Sequence, residues 1–119
     1  MQNVEFKLLA SGNTKFALEL YSIYKHINKN IVFSPYNISL LLAIAYAGSR
    51  NRTEKQIAEV MHFESGQERI HSAFATIERI LKDCNLGRTK LITSNSIWWL
   101  SNYELLGDFK KLIEDHYKA

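Results

Sequence analysis

Asn30-Ile31-Val32-Phe33-Ser34-Pro35-Tyr36-Asn37-Ile38-Ser39, running on as Leu40-Leu41-Leu42-Ala43-Ile44-Ala45-Tyr46-Ala47-Gly48, is the stretch on which the fold of this sequence turns. Ile31-Val32-Phe33 is a β-branched and aromatic run, which predicts a short strand over about 31–33. Ser34-Pro35 then reads as a helix start, with Ser34 as the N-cap and Pro35 at the first helical position, where its missing N–H costs nothing. From Ile38 to Ala47 nearly every residue is apolar and no polar face appears, so this helix must be covered on all sides. Gly48 ends the run as a C-terminal cap would.

Outward from this stretch, the chain alternates helix signals with breaks. Upstream, Asn13 or Thr14 can cap a helix with an apolar stripe of Phe16, Leu20, Ile23 and Ile27, broken at Asn28-Lys29-Asn30. Downstream, Thr53 with Gln56 has the spacing of a capping box, and Ile57, Val60 and Met61 would form that helix's inner face. Ser65 with Glu68 suggests a second capping box. It precedes a helix whose stripe is Ile70, Ala73, Phe74, Ile77, Leu81 and Cys84, stopped at Asn85-Leu86-Gly87. Residues 89–100, rich in Thr, Ile and Trp, read as one long strand. A last helix carries Leu106, Phe109, Ile113 and Tyr117, with Asp108 near its start and Lys118 at its end, as the helix dipole favours.

The long strand is apolar on both faces. Leu91, Ile97 and Trp99 would point one way, and Ile92, Trp98 and Leu100 the other. A strand of that kind belongs inside a sheet, and the run at Ile31–Phe33 is too short to serve as its partner. An unpaired apolar edge is a site for strand addition. With the all-apolar helix, this implies an α+β body larger than these residues supply: about five helices around a buried central one, with one long strand and one stub.

Composition narrows the function. The 119 residues are enough for one domain, and 46% hydrophobic with 23% charged residues is globular rather than disordered. Fifteen basic against 12 acidic residues leave a net charge of +3, too small for a nucleic-acid field. Glu5 and Lys7 interrupt the apolar residues of Met1–Ala10, which do not read as a signal peptide, and no run approaches the ~18 apolar residues of a membrane span. Cys84, the one cysteine, has no disulfide partner and reads as core packing on its stripe; the four histidines, His26, His62, His71 and His116, lack metal-ligand spacing. Neither a metal nor a cofactor is expected. No Gly-x-Ser-x-Gly elbow occurs, and Glu114 and Asp115 do not face each other on a helix, so the chain is not read as an enzyme.

The remaining motifs are weaker. Arg69, Arg79, Lys82, Arg88 and Lys90 alternate with Glu68, Glu78 and Asp83, which reads as a solvated mixed face and not a polyanion site. Arg50, Arg52 and Lys55 read as loop solvation. Of the sequons Asn37-Ile38-Ser39 and Asn51-Arg52-Thr53, the first falls in the buried helix and the second in a plausible surface loop.

The quoted stretch closely resembles the serpin segment leading from a buried strand of the B sheet into the central B helix. The resemblance continues in order and spacing. Asn13–Tyr21 is similar to the family's A helix, and Ala45–Gly48 with Thr53–Phe63 to its B-to-C helix passage. His71-Ser72-Ala73-Phe74 is similar to helix D, residues 92–99 to strand two of the A sheet, and Phe109–Tyr117 to helix E. The implied fold is the amino-terminal part of a serpin domain over 1–119, and the implied activity is serine endopeptidase inhibition. The family's bait loop, its hinge and most of the A sheet would lie beyond Ala119, so the chain alone is expected not to inhibit. A serine protease is expected as partner only with that further part present. The alternative is an interaction module pairing through its strand edge with a complementary part or with itself. The resemblance also implies a shutter role beneath the A sheet for Ser34 and Asn95. Asn37 stands where a second serine is common. Members are commonly extracellular, though some act inside cells.

Overall fold

The computed structural model describes residues 2–84 and 90–117, as five helices: α1 (Gln2–Tyr24), α2 (Pro35–Gly48), α3 (Asn51–Met61), α4 (Gly66–Asp83) and α5 (Gly107–Tyr117). α2 touches each of the other four, as its apolar circumference requires. Ser39, Leu40, Ala43, Ile44, Tyr46 and Ala47 are buried, while Leu41 stays 42% exposed on the flank that no helix covers. Around α2 gather Leu9 and Phe16 of α1, Met61 of α3, Ile70, Ala73 and Phe74 of α4, and Ile113 and Tyr117 of α5.

Several helix boundaries differ from the sequence reading. α1 starts eleven or more residues before Asn13, because the amino-terminal residues continue the helix without a break. Thr14 sits mid-helix and donates its hydroxyl back to the Ala10 carbonyl at 2.9 Å, a side-chain bond that a helical threonine makes instead of a cap. The inner face of α1 is Leu9, Gly12, Phe16 and Leu20; Ile23 and Ile27 are exposed. Gly12 marks the closest approach: a Cβ there would lie 2.7 Å from the His62 carbonyl oxygen. Residues 28–30 lie in the break before α2, as the sequence indicates.

Neither capping box forms. α3 begins at Asn51, with Arg50 at the N-cap position and no side-chain cap bond, so Thr53 and Gln56 are already inside the helix. Ser65 occupies the N-cap position of α4 but makes no cap hydrogen bond. Gly48 is the last residue of α2, and Ser49 caps the end. The absent side chain at Gly48 instead makes room for Phe109, whose ring lies 3.1 Å from where a Cβ would stand. Val60 is 58% exposed, leaving Ile57, Ala58 and Met61 as the inner face of α3. Cys84 caps the end of α4 and is exposed, not packed in the core. The stop at Asn85–Gly87, Thr89 and Lys118 lie outside the described residues.

The largest difference concerns the strands. Among the described residues there is none: 31–33 and 90–100 form no ladder. A strand needs backbone partners at 4.7–4.9 Å spacing, and a three-residue stub cannot supply them to an eleven-residue segment. The two-residue alternation survives over 92–98, but Leu91 and Trp99, expected on the face of Ile97, are 50% and 55% exposed. Thr93, Asn95 and Ile97 lean half-buried against the helices, while Ser94, Ser96 and Trp98 face outward. Ile97 packs on the core; Trp98 is 92% exposed.

Candidate functional site

Two clusters of polar side chains meet the core, one at the amino-terminal end of α2 and one where α4 meets α5. In the first, Ser34 has extended backbone geometry and its hydroxyl accepts a bond from the Asn37 N–H at 3.3 Å. That bond satisfies one of the free donors at the start of the helix. One turn on, the Oδ1 of Asn37 and the Oγ of Ser39 are both buried without a hydrogen-bond partner among the described residues. Buried polar atoms of this kind each cost about 1–3 kcal/mol, so this end of α2 is under-satisfied.

Tyr36, between them, reaches across to α4 and donates its hydroxyl to Glu78 Oε1 at 2.6 Å. Burial pushes its hydroxyl well above the usual tyrosine range, and the hydrogen bond to and charge of Glu78 add to that. The other oxygen of Glu78 accepts from the Thr93 hydroxyl at 3.4 Å. Glu78 thus ties α2, α4 and the extended segment together. Beside it lies a cleft of about 210 Å³, lined by Leu81, Lys82, Leu91, Ile92 and Thr93. Asn95 is half-buried on the same side of the segment as Thr93. The structure brings Ser34 and Asn37 together, but no hydrogen bond joins Asn95 to either among the described residues.

In the second cluster, His71 is 1% exposed, and its Nδ1 lies 2.5 Å from the Tyr117 hydroxyl. Its Nε2 is buried without a partner. Rings of Tyr46, His116 and Tyr117 surround it at centroid distances of 6.1, 6.4 and 5.7 Å. Burial holds its pKa down at about 4, with the neighbouring His116 adding to the effect, and burial raises that of Tyr117. Sequence reasoning placed His71 in the motif resembling helix D and set it aside as a metal ligand, without giving it a place in the core. Its position one residue after Ile70 on the α4 stripe was the signal that it enters the core.

Among the described residues no group of three His, Cys, Asp or Glu side chains is placed to hold a metal ion, and no helix is long and apolar enough to cross a membrane. What the arrangement does show is a helical core with an extended segment laid against it.

Residues 11–119 match the sequence pattern of the family described as Serpin (serine protease inhibitor). The chain belongs to the serpin family. Its relatives include a leukocyte elastase inhibitor of Bos taurus, 31% identical over 93% of this chain and 29% of that protein. Serpin A3-7 of Bos taurus is 34% identical over 98% of this chain and 29% of its own length. An uncharacterized serpin-like protein of Methanosarcina mazei is 31% identical over 92% of this chain and 26% of its own length. The chain therefore spans between 26% and 29% of the length of these serpins. The family is one of inhibitors and not of enzymes.

Proposed function

We propose that these 119 residues form the amino-terminal helical part of a serine-protease-inhibitor body, and that alone they bind but do not inhibit. The observation that carries this reading is the segment at 92–100. It holds the alternating exposure of a sheet strand over 92–98, yet leaves Ile92, Trp98 and Leu100 at 73%, 92% and 68% exposure. Such a segment suits the inside of a sheet whose other strands come from elsewhere. The unsatisfied Asn37 and Ser39 side chains at the base of α2 support the same reading, since later strands would supply their partners. Ser34, Asn37 and Asn95 would then act together as shutter residues only once that sheet is assembled.

The test is incubation of the chain with trypsin-like, chymotrypsin-like and elastase-like serine proteases, followed by denaturing electrophoresis. No denaturation-resistant complex is expected, and the proteases keep full activity; a covalent complex overturns the reading. A second reading, pairing of the chain with itself or with a complementary part, is favoured by the same outward apolar side chains and by Val32 at 97% exposure. Sedimentation across a range of concentrations separates the two. A monomer at every concentration removes self-pairing.

A further inference from the structure

α5 is held to the rest of the molecule at two ends by different chemistry. Near its start, the Phe109 ring sits on Gly48 of α2, an apolar contact without titratable groups. At its last residue, Tyr117 meets α4 through a hydrogen bond of 2.5 Å to His71 and a ring contact with Phe74 at 6.1 Å. The neutral imidazole fits this burial, with one nitrogen engaged and the other without a partner. The protonated ring would present two N–H donors, and only the Tyr117 oxygen stands ready to accept.

The surroundings also oppose a positive charge. From α5, His116 faces the ring at 6.4 Å, and its own protonation would repel a second charge. From α2 comes Tyr46, at 6.1 Å, which feels the charge of Glu54 of α3. From α1, Glu5 meets α4 but is engaged with Arg69 at 3.8 Å. No carboxylate is hydrogen-bonded to His71 among the described residues, so no partner stabilises an imidazolium inside.

We infer that the His71–Tyr117 junction is an acid-sensitive latch on the carboxyl-terminal turn of α5. As His71 takes up a proton, that turn lifts from α4 while Phe109 keeps the amino-terminal turn docked. In the open form the ring reaches water and charges at its ordinary value of 6.5; in the closed form burial holds it down to about 4. The closed state is therefore fully favoured above pH 6.5 and loses ground as pH falls toward 4. Each pH unit in that window raises the opening constant by up to about tenfold.

The test is amide-resolved hydrogen exchange on the full chain from pH 7.5 to 4.5, corrected for the intrinsic pH dependence of exchange. Protection is expected to fall by up to about tenfold per pH unit at Ile113–Tyr117, while Lys110, whose N–H is bonded to the Leu106 carbonyl, Lys111 and the hydrogen-bonded amides of α3 hold theirs. His71→Gln removes the acid dependence, and His116→Gln raises the pH at which His71 charges. Uniform loss across all helices, or acid loss that persists in His71→Gln, overturns the latch. Should His71→Gln not fold, titration of the wild-type imidazole by nuclear magnetic resonance decides: a ring that charges near 6.5 with α5 still protected overturns it equally.

Discussion

The Tyr36 hydroxyl donates to the Glu78 carboxylate at 2.6 Å across 42 residues of sequence, joining the start of α2 to the middle of α4. Glu78 is half-buried, so this bond is stronger than a surface one and weaker than one in the deep core. Tyr36→Phe keeps the ring packed near Phe74 and removes only the donor. A loss of about 1–2 kcal/mol is expected, read as a lower urea midpoint with unchanged slope. Thr93→Val, which removes the 3.4 Å contact to the same carboxylate, should cost less than about 0.5 kcal/mol. Equal effects from the two would mean that Glu78 depends on both donors alike.

The start of α2 and the start of α3 separate a cap that forms from one that does not. Ser34→Ala removes the acceptor for the Asn37 N–H and should destabilise the chain by about 1 kcal/mol, whereas Ser34→Gly should cost only a few tenths. Thr53→Ala should be neutral to slightly stabilising, because Thr53 lies inside α3 and makes no cap bond. Thermal unfolding of the three variants checks the order. A Thr53→Ala loss as large as that of Ser34→Ala would restore the capping box.

These two helix starts also show what a sequence can disclose. Ser34-Pro35 was legible because proline and serine each have one strong positional preference, and both agree. Thr53 and Gln56 carried the right spacing, but Arg50 and Asn51 begin the helix earlier, and cap spacing alone does not exclude an earlier start. The all-apolar run Ile38–Ala47 announced the central helix, since no other arrangement hides it. The strand reading at residues 89–100 captured the alternation of side chains over 92–98, put Leu91 and Trp99 on the wrong face, and missed the missing ladder. Side-chain period is a property of the segment, whereas a ladder is a property of its neighbours. His71 and Tyr117 lie 46 residues apart, and nothing local to either names the other.

Gly12 and Gly107 should respond to alanine with opposite signs. Alanine is the better helix former by about 1 kcal/mol in a helix interior, where Gly12 lies, and by less at Gly107, the first residue of α5. At Gly107 a Cβ meets nothing within 4 Å, and a gain of up to about 1 kcal/mol is expected. At Gly12 the Cβ would stand 2.7 Å from the His62 carbonyl oxygen, a backbone atom that cannot rotate away. α1 must then shift from the end of α3, and a net loss of about 1–3 kcal/mol is expected. That shift would also disturb the His62–Glu19 pair at 3.0 Å and the Lys15–Glu64 pair at 3.7 Å. Denaturation of the two variants side by side reads the difference, and a stabilised Gly12→Ala would show that the helices are not packed this closely.

The outward side chains of the extended segment should contribute to association and little to the stability of the isolated chain. Trp98 is 92% exposed and Ile92 is 73% exposed, so replacing them by serine and threonine removes almost no packing. The double substitution Ile92→Thr with Trp98→Ser should leave the unfolding free energy within about 0.5 kcal/mol. It should also lower the binding of a hydrophobic dye and any concentration-dependent self-association, because large exposed apolar patches are association surfaces. Ile97→Ser is the matched control: Ile97 faces the other way and packs on the core, so it should lose stability and keep the outward surface. A double substitution as destabilising as Ile97→Ser would mean that Ile92 and Trp98 are covered within the chain itself. The segment would then not be an edge prepared for further strands, and the reading of this chain as one part of a larger inhibitor body would lose its main support.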